Sequence, residues 1–303
     1  MVYDILIVGG GPAGMTAALY GRRAGHSVLL LEKGGFGGQM ALSPRVANYP
    51  AAAEGSGAAL ADAMLTQILA LGAECEPAEI VRAERVGELV RLTADDGTTY
   101  EGRTLILAVG AEHRHLGLAG EEELTGAGIS FCAVCDGAFY AGRDVVVLGG
   151  GDSALQEALL LSETCRRVTV CHRRELTGEQ SLQDALRARE NVTIRTHVNA
   201  AAFHAEDGVL TGVTLRAADG REELLPCDGV FEAVGQVPAT APFAALLETD
   251  DAGYAAVGED CRTGDGRVFV AGDCRRKPVR QIATAVADGA VAALAASDRL
   301  RRA

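Results

Sequence analysis

Two glycine-rich turns, each set between an apolar run and a stretch of good helix formers, limit what this chain can fold into. The first is Gly9-Gly10-Gly11-Pro12-Ala13-Gly14. It follows Tyr3-Asp4-Ile5-Leu6-Ile7-Val8, a run of the kind that forms a strand buried on both faces. Residues 15–24 are Ala-rich and helix-forming, Gly25 closes the helix, and Ser27-Val28-Leu29-Leu30-Leu31 is a second buried strand ending at Glu32. This predicts one strand–helix–strand unit. The pattern returns as strand Asp144–Leu148, turn Gly149-Gly150-Gly151-Asp152-Ser153-Ala154, helix 155–162 and strand Arg167–Cys171. Two such units specify an α/β protein with a duplicated architecture, not a short-period solenoid.

Each unit is followed by the same plan. Glu88–Thr93 and Thr99–Glu101 flank Asp95-Asp96-Gly97, a hairpin signal, and the apolar strand Leu105–Val109 ends at Gly110. Later, Leu210–Ala217 and Glu222–Leu225 flank Asp219-Gly220, and Gly229–Val234 ends at Gly235. A last strand, Arg267–Ala271, and a long helix over Gln281–Ser297 have no counterpart in the second half. Assigning them to the first domain makes the second an insertion. The expected domains are 1–114 with 242–303, and 115–241, with crossings near 112–117 and 237–245.

The glycine turns carry a specific chemistry. In the first, Gly9 permits the tight turn, Gly11 lets backbone approach a pyrophosphate, and Gly14 allows close helix–strand packing. The helix N-terminus offers free N–H groups to phosphates, and Glu32 can accept from a ribose hydroxyl. The second turn, Gly149-x-Gly151-x-x-Ala154, leads to a strand ending in Cys171-His172-Arg173-Arg174. A carboxylate there would repel a ribose 2′-phosphate, whereas Arg173 and Arg174 would bind one. The second turn therefore reads as built for NADPH.

Eight cysteines in 303 residues are too few for a disulfide scaffold, and only Cys132 and Cys135 are close, in Cys-Ala-Val-Cys-Asp136-Gly. Such a pair is a redox-active dithiol, half a zinc site, or two structural thiols. Zinc would need two more ligands, and the nearest pair, His113 and His115, reads as exposed linker histidines. Asp136 is placed to carry a proton during thiol exchange. Gly272-Asp273 follows a buried strand, with a helix starting near Arg280. The net charge of −13 and the absence of Trp argue against nucleic acid or an anionic membrane as a partner. No apolar run reaches the length of about 18 residues needed to span a bilayer. Met1-Val2-Tyr3-Asp4 enters a strand directly, and the scattered cysteines read as reduced, so a cytoplasmic location is expected.

In combination these motifs, together with Gly37-Gly38-Gln39, Asn48-Tyr49-Pro50, Gly-Gly-Gly-Asp-Ser-Ala, His-Arg-Arg and Gly-Asp…Arg-Gln, resemble the low-molecular-weight bacterial thioredoxin reductases, class II of the pyridine nucleotide-disulfide oxidoreductases. The resemblance spans nearly the whole chain. It implies two Rossmann-like dinucleotide-binding domains of the three-layer ββα type, the second inserted in the first. The first would bind FAD through Gly9, Gly11, Pro12, Ala13, Gly14, Glu32, Gln39, Asn48, Asp273, Arg280, Gln281 and Ile282. The inserted domain would bind NADPH through Gly149, Gly151, Asp152, Ser153, His172, Arg173 and Arg174. Cys132 and Cys135 would be the redox disulfide, Asp136 the associated acid, thioredoxin the protein substrate, and the assembly a homodimer.

The chain departs from the family in one respect. Members usually carry a further Arg shortly after His-Arg-Arg, where this chain has Glu175-Leu176-Thr177-Gly178-Glu179-Gln180. Loss of a charge-assisted contact weakens phosphate selection by roughly 1.5–3 kcal/mol, so NADPH preference is expected to survive but soften. Because nicotinamide and the Cys pair both reside on the inserted domain and both need contact with one flavin, that domain is expected to swing about its two crossings. The competing functions are a flavin dithiol oxidase using oxygen, the reductase component of a peroxidase system, and a non-enzymatic redox sensor.

Overall fold

The structure, a computed structural model, describes residues 1–43, 45–50, 52 and 55–302. Two compact units divide the chain: 1–112 with 237–303, and 113–236. The chain begins with β1 (Val2–Val8), α1 (Pro12–Arg23) and β2 (Val28–Glu32), the strand–helix–strand unit expected from the first glycine turn. Next come α2 (Gly57–Ala70), β3 (Glu74–Pro77), β4 (Ile80–Val86), β5 (Leu89–Ala94), β6 (Thr99–Leu107) and the crossing strand β7 (Ala111–His113).

The second unit contains α3 (Glu121–Leu124), β8 (Ile129–Ser130), α4 (Ala133–Asp136), β9 (Asp144–Leu148), α5 (Asp152–Ser162), β10 (Arg167–His172), α6 (Gln180–Arg187) and β11 (Val192–Thr196). It ends with β12 (Val198–Glu206), β13 (Val209–Ala217), β14 (Glu222–Pro226) and β15 (Gly229–Glu232). The return crossing is β16 (Gln236–Pro238), which pairs with β7. β17 (Val268–Val270) and α7 (Ile282–Arg301) complete the first unit.

In the first unit the sheet runs β3-β2-β1-β6-β5-β4, with β17 added on β6. β1 pairs in parallel with both β2 and β6. Its near-continuous apolar sequence follows from burial on both faces. Ile5 and Ile7 enter a core with Met15, Ala17 and Ala292 from the helices, while Leu6 and Val8 enter another with Ile80, Val90 and Leu92. These are the helix, sheet and meander layers of the expected architecture.

The second unit repeats it, with β11-β10-β9-β15-β8 as the parallel sheet and β12-β13-β14 as an antiparallel sheet. Val145 and Val147 of β9 pack with Ala154, Leu155 and Ala158 of α5, and Val146 and Leu148 pack with Val213 and Leu215 of β13.

Three local expectations are corrected. Thr99–Glu101 and Leu105–Leu107 belong to one strand, which runs on through Gly102, where Leu6 packs so closely that a Cβ would lie 2.6 Å from its Cγ, and which stops before Ala108 and Val109. Strands β4 and β12 extend both hairpins into three-stranded meanders. His113 is not an exposed linker residue. It stacks on Phe131 with ring centroids 4.8 Å apart, and burial pulls its pKa down to about 4.

Candidate functional site

Each sequence-predicted residue falls into one of three groups, two of them on the second unit. The first surrounds the N-terminus of α1. Gly9 has φ +106°, and a Cβ there would lie 2.2 Å from the Ala108 carbonyl oxygen. A Cβ on Gly14 would lie 1.8 Å from the Gly9 oxygen, so strand, turn and helix can close only with glycine. Over Gly11 a Cβ would meet nothing within 4 Å, and α1 starts there without a side-chain cap. Pro12 and Ala13 form its first turn, leaving open, positively polarised backbone that suits a pyrophosphate.

Glu32 is fixed beside this turn. Its Oε2 accepts from Gly10 N–H at 2.5 Å and its Oε1 from Gly34 N–H at 2.8 Å, leaving lone pairs for a diol. Gln39 Nε2 donates to the Ala111 carbonyl. Asn48 Nδ2 donates to Gln281 Oε1 at 3.1 Å, and Gln281 caps α7 in a reciprocal capping box with Thr284, just before Ile282. Arg280 lies 4.2 Å over the Tyr254 ring.

Asp273 is the most informative member of this group. Its Oδ1 is buried without a hydrogen-bond partner, although Lys277 Nζ is 3.6 Å away. Burial pushes its carboxyl pKa up, with Lys277 and Arg280 opposing. A buried carboxylate oxygen without a donor is costly, and a hydroxyl from a bound ribityl chain would supply one.

Sequence reasoning missed what holds this loop. Asp288 of α7 accepts from Gly272 N–H at 3.0 Å, Arg275 Nη1 at 2.5 Å and Lys277 Nζ at 2.9 Å, all buried. An Asp inside an Ala-rich helix was the available signal, because a carboxylate on an apolar face needs cations.

The second group lies at the start of α5. A Cβ on Gly149 would lie 2.4 Å from the Ala233 oxygen, while the space over Gly151 is open to 4.0 Å. The loop after β10 folds back on this turn: Thr177 and Gly178 N–H groups donate to the Gly150 carbonyl at 2.8 and 2.9 Å. Asp152 Oδ1 accepts from Glu179 N–H at 2.7 Å, so Asp152 shapes that loop, and Ser153 is exposed beside it. The His172 ring lies against Gly150, with Nδ1 3.1 Å from the carbonyls of Arg174 and Glu175. Arg173 and Arg174 are exposed, and among the described residues their side chains have no ion-pair partner. The neighbouring Glu175 is paired with His197 at 2.8 Å. Two free guanidinium groups at a strand end suit a phosphate.

The third group is the cysteine pair. Cys132 and Cys135 form a disulfide with Cα atoms 5.3 Å apart. The other six cysteines are free, and all but Cys75 are buried. Burial pushes the thiols of Cys171, Cys227, Cys261 and Cys274 up to about 12, which leaves them inert. Cys132 caps α4, its sulfur accepting from Cys135 N–H at 3.1 Å. Asp136 ends the same turn. Burial pushes its pKa up, and Ser130, whose Oγ donates to Oδ2 at 2.6 Å, opposes the rise. A carboxyl with a raised pKa beside a disulfide is equipped to deliver and take back a proton. Ser130 was not singled out from sequence, because nothing local ties it to Asp136.

No helix among the described residues is long and apolar enough to cross a membrane. The family model for pyridine nucleotide-disulphide oxidoreductases matches residues 3–289. The chain is 44% identical to the thioredoxin reductase of Listeria monocytogenes over 96% of its own length and 92% of the relative's. It is 40% identical to that of Bacillus subtilis, over 96% and 93%. The solved thioredoxin reductase of Streptococcus pyogenes superposes with a TM-score of 0.95 at 38% identity, covering 100% of this chain and 99% of that one. A disulfide beside a half-buried acid, two glycine-turn nucleotide folds and a family match over residues 3–289 lead to one conclusion: the chain belongs to the pyridine nucleotide-disulphide oxidoreductase family.

Proposed function

We propose that this chain is an NADPH-dependent thioredoxin reductase carrying FAD and working as a cytoplasmic homodimer. The observation that carries the reading is the Cys132–Cys135 disulfide on the unit that also bears the second glycine turn, with Asp136 and Ser130 beside it.

FAD is held on the first unit by the Gly9–Gly14 turn, Glu32, Gln39, Asn48, Asp273 and the Arg280-Gln281-Ile282 start of α7. NADPH is held on the second by Gly149, Gly151, Asp152, Ser153, His172, Arg173 and Arg174. When bound, FAD relays two electrons from the nicotinamide to the disulfide.

The residues of the chain do the rest. Opening the S–S bond takes two electrons and two protons and leaves two thiols. One, as thiolate, attacks a sulfur of the thioredoxin disulfide and expels the other thioredoxin sulfur, forming a mixed disulfide. The second cysteine then attacks its neighbour in that mixed disulfide. This restores Cys132–Cys135 and leaves thioredoxin as a dithiol, two electrons richer. Asp136 holds the proton that the turn sheds and regains as its sulfurs change charge.

Anaerobic titration of the purified yellow protein with NADPH, then NADH, followed by a thioredoxin, tests this. Stoichiometric bleaching by NADPH and recovery of colour on adding thioredoxin are expected. Bleaching by neither nucleotide, or recovery only with oxygen, would replace the reading with a dithiol oxidase or a sensor.

A further inference from the structure

The residue just before Cys132 is held from outside the redox turn. Phe131 meets two imidazole rings of the crossing segment. His113, at the end of β7, stacks on it with ring centroids 4.8 Å apart and planes 23° from parallel. His115 meets the same ring edge-on, at 5.2 Å and 76°. Both arrangements attract. The two imidazoles are themselves pinned. His115 Nδ1 lies 2.7 Å from Glu121 Oε1, and Glu121, 3% exposed, also accepts from the N–H groups of Leu116, Gly117 and Leu118 at 3.0, 2.7 and 3.1 Å. Between the histidines, Arg114 N–H donates to the Gly235 carbonyl at 3.0 Å. The Gln236 amide nitrogen lies 3.3 Å from His113 Nδ1. On the other side, Ser130 is in register with Phe231 of β15, and its Oγ accepts from Cys132 N–H at 3.1 Å. The sheet thus fixes the backbone entering the turn, and the crossing segment fixes the ring next to the first cysteine.

We infer that Phe131 is a positioning residue for the redox disulfide: the His113 and His115 rings grip it, and through it they hold Cys132 where its sulfur closes on that of Cys135. This rests on the reading of that pair as the redox disulfide.

The physical basis is entropic. How readily two thiols close into a disulfide depends on the effective concentration of one at the other. Cys135 is already placed by the α4 backbone, its N–H donating to the Cys132 carbonyl at 3.1 Å. A restraint that narrows the positions of Cys132 raises that effective concentration. Without it the opened pair samples more conformations, and the dithiol gains entropy. The grip on Phe131 therefore favours the closed pair over the open one. A dithiol that closes more readily gives up its electrons more readily, the direction that a donor to another disulfide requires.

The test is the exchange equilibrium with dithiothreitol. The full-length holoprotein is equilibrated under nitrogen with mixtures of reduced and oxidised dithiothreitol. Each exchange moves two electrons and two protons: Cys132–Cys135 opens into two thiols while dithiothreitol closes its own ring disulfide. Acid quenching, alkylation and mass spectrometry give the fraction of open pair. Phe131→Leu keeps an apolar side chain but loses the ring, and should shift the equilibrium toward the dithiol by about two- to ten-fold, the worth of an aromatic contact. Phe131→Tyr keeps the ring and should restore the wild-type constant. His115→Ala changes a half-exposed side chain and should shift the equilibrium the same way by about two- to three-fold. A packing role alone would lower the melting temperature and leave the exchange constant untouched. A wild-type constant in Phe131→Leu overturns the inference, as does a shift that Phe131→Tyr shares. Should Phe131→Leu not fold, a wild-type constant in His115→Ala overturns it instead. A wild-type pair that stays closed in reduced dithiothreitol alone overturns the thioredoxin reductase reading itself.

Discussion

Ser130 holds Asp136 by a 2.6 Å hydrogen bond from its hydroxyl to Oδ2. Because burial raises the Asp136 pKa and Ser130 opposes that rise, removing the hydroxyl lets it climb further. In Ser130→Ala, the limb of the pH–rate profile that reports Asp136 should therefore move to higher pH with little loss of maximal rate. Asp136→Asn should lose that limb and lower thioredoxin turnover by about 10²- to 10⁴-fold, the usual worth of a general acid–base group. Steady-state profiles of the two variants check both outcomes.

Nucleotide choice should depend on Arg173 and Arg174. Their guanidinium groups are exposed and without ion-pair partners among the described residues, and the neighbouring Glu175 is paired with His197. Each charge-assisted contact to a 2′-phosphate is worth about 1.5–3 kcal/mol. Arg173→Ala should therefore raise KM for NADPH about ten- to hundred-fold while leaving NADH unchanged. The wild type should still prefer NADPH. Equal kcat/KM for the two nucleotides would show that these side chains do not select.

Asp288 should be the stability anchor of the flavin loop. Replacing it with Ala takes from Arg275 and Lys277 their shortest ion pairs, leaves them only Glu259 at 3.5 Å and Asp273 at 3.6 Å, and frees Gly272 N–H. Breaking a buried ion network in this way costs about 3–5 kcal/mol. The variant should melt earlier by circular dichroism and elute from gel filtration with reduced flavin absorbance.

Glu232 should make stability pH-dependent. It is 2% exposed, and both carboxylate oxygens lack an ordinary donor. Burial, and then the charge of Glu121, push its pKa from an ordinary 4.5 up to about 8. Burial also pushes Glu121 up, but the N–H of Leu118, His115 and the N–H of Leu116 more than offset it and hold Glu121 ionised. The folded state therefore binds the extra proton. The stabilising protonated form is fully present below pH about 4.5 and is lost as pH rises through about 8. Glu232→Gln should match the wild type near pH 5 and exceed it by a few kcal/mol at pH 8.5. The chain has no Trp, so melting is followed at 222 nm by circular dichroism. A constant difference across pH would refute the assignment.

Both glycine turns, the apolar strands behind them, the hairpins and the Cys-x-x-Cys pair were legible in the amino-acid sequence because their causes are local. A strand buried on both faces must be apolar throughout, and a turn that admits no Cβ must be glycine. Two sulfurs three positions apart on one turn can close a bond. What only the tertiary structure decided were pairings between distant positions. Asp288 meets the Gly272–Lys277 loop. Glu232 lies against Glu121. Strand β4, with apolar side chains at irregular spacing, and the half-exposed β12 take their structure from hydrogen-bonded neighbours more than from their own pattern. A buried polar side chain is tolerated only where a partner from elsewhere in the chain meets it, and where those partners meet is set by the fold as a whole.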